Sequence, residues 1–244
     1  MSGHSKWANI RHKKEKSDAQ KAKIFTKIGR EIAVAVKLGG SDPNSNPKLR
    51  DIIAKARDNN IPNDNIMRSI KKAAGELGSV NYENITYEGY GNNGVAVIVE
   101  TLTDNKNRTA SEMRHIFDKY GGSLGTTGCV SFMFDTKGVV ILERTDPEKD
   151  DEIMLQAIDL GAEDIMPDGD QYEIITDPAN VSSMRAGLEG LGLKVLSAEV
   201  DRIPQTTVTL TGEDAQKFQA FLDRLEESDD VQEVYHNAEL PEEE

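Results

Sequence analysis

The stretch KGVVILERTDPEKDDEIMLQAIDLGAEDIMPDGDQYEIITDPANVSSMRAGLEGLGLKVLSAEVDRI, residues 137–203, decides how the rest of the chain is read. Residues 139–142 form an unbroken apolar run of strand length. Asp146-Pro147 follows, a capping side chain and then a residue tolerated at the first helical position. Ile153, Ala157 and Leu160 carry a helical period that Gly161 closes. Ile165-Met166 and residues 172–175 flank Asp168-Gly169-Asp170 as a hairpin. Asp177-Pro178 repeats the helix start, Val181, Met184 and Leu188 repeat the period, and residues 195–200 read as a closing strand. The order βαββαβ predicts a ferredoxin-like domain, self-contained over residues 135–204.

Its flanks look incomplete on their own. Upstream, Ile85, Tyr87, Val95, Val97 and Val99 recur at every second position, the period of a strand, around the glycine-rich turn 89–94. Thr109 with Glu112 reads as a capping box opening a helix whose face is Met113, Ile116, Phe117 and Tyr120. Gly121-Gly122 ends that helix, and Val130, Phe132 and Phe134 alternate again as a strand. Downstream, residues 207–211, a helix through Phe218, Phe221, Leu222 and Leu225, and residues 231–235 give β-α-β. That unit could not bury its faces alone, so residues 80–134 and 205–244 are expected to share one discontinuous domain, with 239–244 an acidic, disordered end.

Residues 1–79 differ again. A polar arm is followed by a plausible capping box, Ser17 with Gln20, and an apolar face of Phe25, Ile28, Ile32 and Val36 that stops at Gly39-Gly40. Pro47 opens a second helix lined by Leu49, Ile52, Ile53 and Ala56. Asn63 is a candidate cap for a third, lined by Ile66, Met67, Ile70 and Ala74. The expectation is an α+β chain: an N-terminal three-helix bundle, then two α/β sandwich-type (ferredoxin-like) domains, the last inserted into the middle one.

Composition narrows the function. The 244 residues are 37% hydrophobic and 30% charged, with no apolar run near the roughly 20 residues that cross a bilayer. The start is polar and basic, without the apolar stretch of a secretory signal, and a single cysteine, Cys129, leaves no internal disulfide. A cytoplasmic protein with no membrane partner is expected. Net charge is −14, yet residues 1–76 carry 17 Lys/Arg against 8 Asp/Glu while the remainder carries 12 against 35. Such asymmetry suits a basic region that meets phosphate and an acidic body that faces solvent or a basic partner.

Motifs for chemistry are scarce. Gly89-Tyr90-Gly91-Asn92-Asn93-Gly94 matches G-x-G-x-x-G, but a strand follows where the dinucleotide mechanism needs a helix N-terminus, so the match is rejected. The glycine-rich segment 121–128 lacks the Lys-Ser/Thr of a P-loop and reads as a helix stop with a mobile connection. His4, His12, His115 and His236 lack a second ligand at metal spacing, and Cys129 has no evident base. The chain is therefore read as a non-enzyme with no cofactor, no metal and no small-molecule substrate, and as a monomer.

Binding carries the stronger signal. Lys6, Arg11, Lys13, Lys14, Lys16, Lys21, Lys23, Lys27 and Arg30 place nine cations in the first 30 residues against two acids. Trp7, the one tryptophan, sits among them, either to stack on a base or to anchor the arm on the bundle. A second polar cluster, Asn105, Lys106, Asn107 and Arg108, lies between a strand and a helix, where binding residues concentrate.

Residues 3–10 (GHSKWANI), Lys23-Ile24-Phe25, Arg30-Glu31-Ile32, residues 39–43 (GGSDP), 87–91 (YEGYG), 102–105 (LTDN) and Asn107-Arg108-Thr109 together resemble the YebC family, whose mitochondrial relatives are translational activators. The resemblance covers essentially the whole chain. It implies a three-domain cytoplasmic protein with a cleft between its α/β domains. Many members carry the label of probable DNA-binding transcriptional regulator; the resemblance also implies a ribosome-associated factor that eases translation through proline-rich stretches. Two departures are visible: Asn92-Asn93 where a proline is usual, and Cys129 where serine is usual.

An arm rich in cations and a third helix carrying only Arg68, Lys71 and Lys72 favour structured RNA (rRNA or tRNA on the ribosome) over groove readout of DNA. If the arm contacts phosphate, replacing Lys13, Lys14 and Lys16 with alanine lowers nucleic-acid affinity and flattens its log–log salt dependence by roughly 2 to 3 units. A slope equal to that of the parent in filter-binding titrations would place these lysines in solvent.

Overall fold

The computed structural model describes residues 18–75 and 81–241, so the arm through Lys16 and the Ser17 half of the first capping box lie outside it. Among these residues are seven α-helices and ten strands. They divide into two compact units: residues 53–60 with 136–203, and residues 18–52 with 61–135 and 204–241.

In the second of these, helix α1 (Asp18–Gly39) packs on α3 (Asn63–Gly75), and α2 (Pro47–Asp58) lies between them in sequence. The buried stripes are Ile28, Ile32 and Val36 of α1, Leu49 and Ile52 of α2, and Ile66 and Ile70 of α3. Phe25 and Met67 fall outside them, at 37% and 61% exposure, because helical rotation carries each past the edge of its face. The α1–α2 turn is held by a residue that periodicity does not single out. Asn46 is buried; its Nδ2 donates to the carbonyls of Ala35 (2.9 Å) and Gly40 (2.8 Å), and its Oδ1 accepts the Leu49 amide (3.1 Å). One side chain thus closes the end of α1 and caps α2. The third helix begins at Asn63, the residue expected to cap it, and the Pro62 carbonyl one residue earlier accepts the amides of Asn65 and Ile66.

The same unit contains a four-stranded sheet in the order β3-β1-β2-β9, built from β1 (Glu83–Tyr90), β2 (Ala96–Thr103), β3 (Ser123–Leu124) and β9 (Val231–His236). Every neighbouring pair is antiparallel, and β2–β9 is offset by an irregularity at Glu100/Thr101. Helices α4 (Lys106–Lys119) and α7 (Gly212–Glu226) cover the face that carries Val97 and Val99, with Phe117 and Phe221 edge-to-face at 5.0 Å. Ala96 and Ile98 pack on the other face against Val130 and Phe134. Burial on both sides accounts for the uninterrupted apolar run 95–99. The sheet is discontinuous in sequence, as the incomplete flanks require.

The glycines of the 89–94 turn serve close packing, not phosphate. A Cβ on Gly89 would lie 2.3 Å from the Ser123 carbonyl oxygen, and one on Gly91 would lie 2.9 Å from the Phe218 ring. Asn92 and Asn93 then dock the hairpin tip on the first turn of α7, donating to the Asp214 carbonyl (3.1 Å) and carboxylate (2.7 Å).

Several local expectations are overturned. Residues 130–134 are not a strand: Ser131–Met133 is a 3-10 turn, Phe132 is 69% exposed, and β4 runs Phe134–Glu143. The 121–128 segment is no loose connection, since it contains β3 and is fastened by Glu88. The Glu88 carboxylate accepts amides of Gly128 (2.8 Å), Val130 (3.0 Å) and Ser131 (2.9 Å). Burial opposes its ionisation, but those three amides outweigh burial and hold the carboxyl below the usual range. Residues 207–211 do not join the main sheet. Strand β8 (Val208–Thr209) instead pairs in parallel with β10 (Ala238–Glu239), so Glu239 is ordered, accepting from the Thr209 hydroxyl at 2.7 Å.

The other unit carries the βαββαβ order of its sequence: β4, α5 (Asp150–Asp159), β5 (Ala162–Asp168), β6 (Gln171–Thr176), α6 (Val181–Gly190) and β7 (Val195–Pro204). The sheet order is β5-β6-β4-β7, the ferredoxin-like arrangement. Asp146 and Asp177 cap the turns leading into α5 and α6 through the amides of Glu148 and Ala179. Ile153, Ala157, Met184 and Leu188 seal one sheet face, and Val139, Ile141 and Ile175 form a smaller cluster of their own.

Removing the Asn46 side chain as Asn46→Ala leaves two carbonyls and one amide short of partners and destabilises the protein by about 1–3 kcal/mol. Asn46→Asp keeps the cap acceptor but loses both donors, so in urea titrations it recovers little of that loss.

Candidate nucleic-acid interface

Of the fourteen candidate residues, Lys6, Trp7, Arg11, Lys13, Lys14 and Lys16 lie outside the described residues. The other eight fall on two elements. Lys21, Lys23, Lys27 and Arg30 belong to α1; Asn105, Lys106, Asn107 and Arg108 form the loop and first turn of α4.

Three of the four α1 cations, Lys23, Lys27 and Arg30, are engaged within the fold. Lys23 Nζ donates to the Glu227 carbonyl (3.1 Å) and Lys27 Nζ to the Glu226 carbonyl (3.4 Å), at the end of α7 where the macrodipole favours positive charge. Arg30 Nη1 donates to the Leu102 carbonyl (3.0 Å) and to Asp230 Oδ1 (2.6 Å), with its guanidinium 5.5 Å from the Tyr82 ring centre. Lys21 is exposed.

The α4 cluster starts from a cap, but not the expected one. Asn105 is the N-cap and its Oδ1 accepts the Arg108 amide at 3.1 Å. Thr109 instead lies inside the helix, fully buried, and its hydroxyl donates to Asp230 Oδ2 at 2.7 Å. Asp104, Asn105, Lys106, Asn107 and Arg108 are all exposed.

Both elements meet at Asp230, which sequence patterning gives no reason to select: it stands in an acidic run after α7, beside Asp229 and Ser228. It is 3% exposed. Oδ1 accepts Arg30; Oδ2 accepts Arg108 Nη2 (2.8 Å), the Thr109 hydroxyl and the Thr103 hydroxyl (3.1 Å). The Asp230 carbonyl accepts the Leu102 amide at 2.7 Å. Burial works against its charge, but Arg108, Arg30 and the two threonine hydroxyls outweigh it and hold the carboxyl at about 2.

This fixes the posture of Arg108. Its Nη2 alone makes the contacts to Asp230, Asp104 (2.9 Å) and Thr103 (3.5 Å), while the side chain stays 50% exposed. A guanidinium has five donors, so tethering through Nη2 leaves the hydrogens of Nη1 and Nε without a partner among the described residues, free to donate to the oxygens of an anion. Glu112 does not compete for it, being engaged by Ser228 (3.1 Å) and Arg224 (3.6 Å).

Asp230→Asn removes the charge that two arginines share and destabilises by about 3–5 kcal/mol, the range for breaking a buried ion pair. The folded carboxyl titrates below its ordinary value, so its contribution is complete above about pH 4 and is lost as pH falls towards 2. The stability gap between parent and Asp230→Asn therefore narrows below pH 4; a gap constant from pH 7 to pH 2.5 in denaturant titrations would contradict that.

No helix among the described residues is long and apolar enough to cross a membrane. Two sequence profiles match the chain: the TACO1/YebC protein N-terminal domain over residues 5–76, and the TACO1/YebC second and third domain over residues 82–238. A protein of Acetivibrio thermocellus is 61% identical over 97% of this chain and 98% of its own length; one of Caldicellulosiruptor saccharolyticus is 60% identical over 97% and 98%. Both are named probable transcriptional regulatory proteins. The crystal structure of a conserved hypothetical protein, Aq1575, from Aquifex aeolicus superposes with a TM-score of 0.84 at 46% identity, covering 98% of each chain. Matched along both its helical and its α/β parts, the chain belongs to the TACO1/YebC family.

Proposed function

We propose that this protein is a non-enzymatic, cytoplasmic, ribosome-associated regulator of gene expression that binds RNA and eases stalling on proline-rich sequences. The division into residues 1–79, the discontinuous 80–134 with 205–244, and the inserted 135–204 is part of the same proposal. The observation that carries it is Arg108: a half-exposed guanidinium held through Nη2, with its Nη1 and Nε hydrogens unbonded among the described residues, beside exposed Lys106 and Asn107. Phosphate oxygens are strong acceptors for such charged donors. The cations of α1 that turn inward leave phosphate contact to the α4 turn and to the arm.

Stalling on proline reflects poor geometry for peptide-bond formation, and positioning alone can lower a barrier by several kcal/mol. A helper that binds tRNA or rRNA firmly needs no acid or base of its own. A DNA-binding regulator of transcription is the second reading, favoured by the names of the relatives. It requires a discrete site bound at least about a thousandfold above random duplex at fixed salt.

Arg108→Ala is expected to reduce RNA affinity, to shift the salt slope by about one unit, and to abolish rescue of a polyproline reporter in reconstituted translation, with saturable ribosome co-sedimentation weakened in parallel. Arg30 still partners Asp230 in that variant, so its melting temperature falls by no more than a few degrees. Rescue that declines only in step with the folded fraction would make Arg108 structural, and a specific operator without ribosome binding would favour DNA.

A further inference from the structure

Helix α5 leaves apolar side chains uncovered in a strongly acidic part of the chain. Its inner face, Ile153 and Ala157, is buried in the core. On the outer face Leu155 is 64% and Ile158 54% exposed, and with Met154 and Asp151 they line one open surface depression. Positions 151, 154, 155 and 158 have the spacing of a single helical stripe. Scattered exposed apolar residues need no explanation, but a contiguous stripe rimmed by charge marks an interaction surface.

The rim tells which partner fits. Residues 136–203 carry 16 Asp/Glu against 6 Lys/Arg. Acids at the start of α5, Asp150, Asp151 and Glu152, suit the helix macrodipole, and Asp150 is paired with Arg144 at 2.6 Å. Exposed Asp159, in the last turn, has no such excuse: the dipole disfavours an anion there, and that turn contains no basic residue. Carboxylates therefore stand at both ends of the stripe, one where helix stability opposes it. Such a surface repels nucleic acid and anionic lipid, and stacking it on its own copy would set acid against acid.

We infer that the outer face of α5 is a docking surface for a basic amphipathic segment of another protein, whose apolar side chains cover Leu155 and Ile158 while Lys or Arg side chains meet Asp151 and Asp159. This surface is independent of the proposed RNA contact.

The test uses the full chain and a fluorescein-labelled 14-residue synthetic helix with leucines on one face and lysines flanking them. A charge-reversed glutamate version and a scrambled lysine version serve as controls, read by anisotropy at physiological salt. The lysine helix is expected to bind at least tenfold more tightly than either control. Leu155→Ser/Ile158→Ser and, separately, Asp151→Asn/Asp159→Asn should each weaken it at least tenfold, with melting temperature and RNA affinity unchanged. Equal binding of the scrambled peptide, or undiminished binding by the variants, would each overturn the inference. So would a Leu155→Ser/Ile158→Ser variant that sediments at lower mass than the parent, since the occupant would then be a second copy.

Discussion

A single buried carboxylate holds the larger unit in register. Asp230 gathers Arg30 from the first helix, Arg108 and Thr109 from α4, and Thr103 from the end of β2, while its backbone carbonyl anchors Leu102. None of those groups could be buried comfortably alone: a desolvated carboxylate or a mostly buried guanidinium is tolerable only when paired and hydrogen-bonded. Because the partners come from sequence positions 30, 103, 108, 109 and 230, the cluster fixes three elements together. The same arrangement gives α4 a rigid, outward-facing guanidinium, so the stability of the sheet domain and the chemistry of its surface have one origin.

Glu88 does similar work at the opposite end of β1. There a carboxylate gathers backbone amides instead of arginines, and the segment behind β3 becomes a fixed wall. The two cases show how an acidic chain uses acid internally: each carboxylate is ionised because its donors are arranged before it titrates. The abundance of acids elsewhere, as on α5, is a separate matter of surface and partner.

What the sequence reveals and what it hides divide along a physical line. Period and punctuation are local, so the βαββαβ order, the Asp-Pro helix starts, the hairpin around Gly169 and the strand after Gly94 could be read directly. Rejection of the dinucleotide motif rested on the order of elements and agrees with Gly89 and Gly91 packing against Ser123 and Phe218. Long-range polar contacts leave no period. Asp230 looks like one acid among many, Thr109 looks like a cap until its hydroxyl is found on Asp230, and the α1 lysines look like a phosphate-binding face until their carbonyl partners at 226 and 227 are seen. The alternation at 130, 132 and 134 misled because two of those residues are buried around a 3-10 turn, which spaces side chains differently from a strand.

The discontinuous sheet has a consequence for the order in which the molecule can be made. Strand β9 and Asp230 emerge after the helical region, β1, β2, α4 and the whole inserted unit have been synthesised. Until then β2 presents an open edge, and Arg30 and Arg108 wait without their shared anion, whereas residues 136–203 already hold every strand of their own sheet. Vectorial synthesis therefore completes the nested unit before the one that encloses it. Closure of the outer sheet pays the loop entropy of about 200 residues between Arg30 and Asp230 unless the folded insert has first shortened that loop.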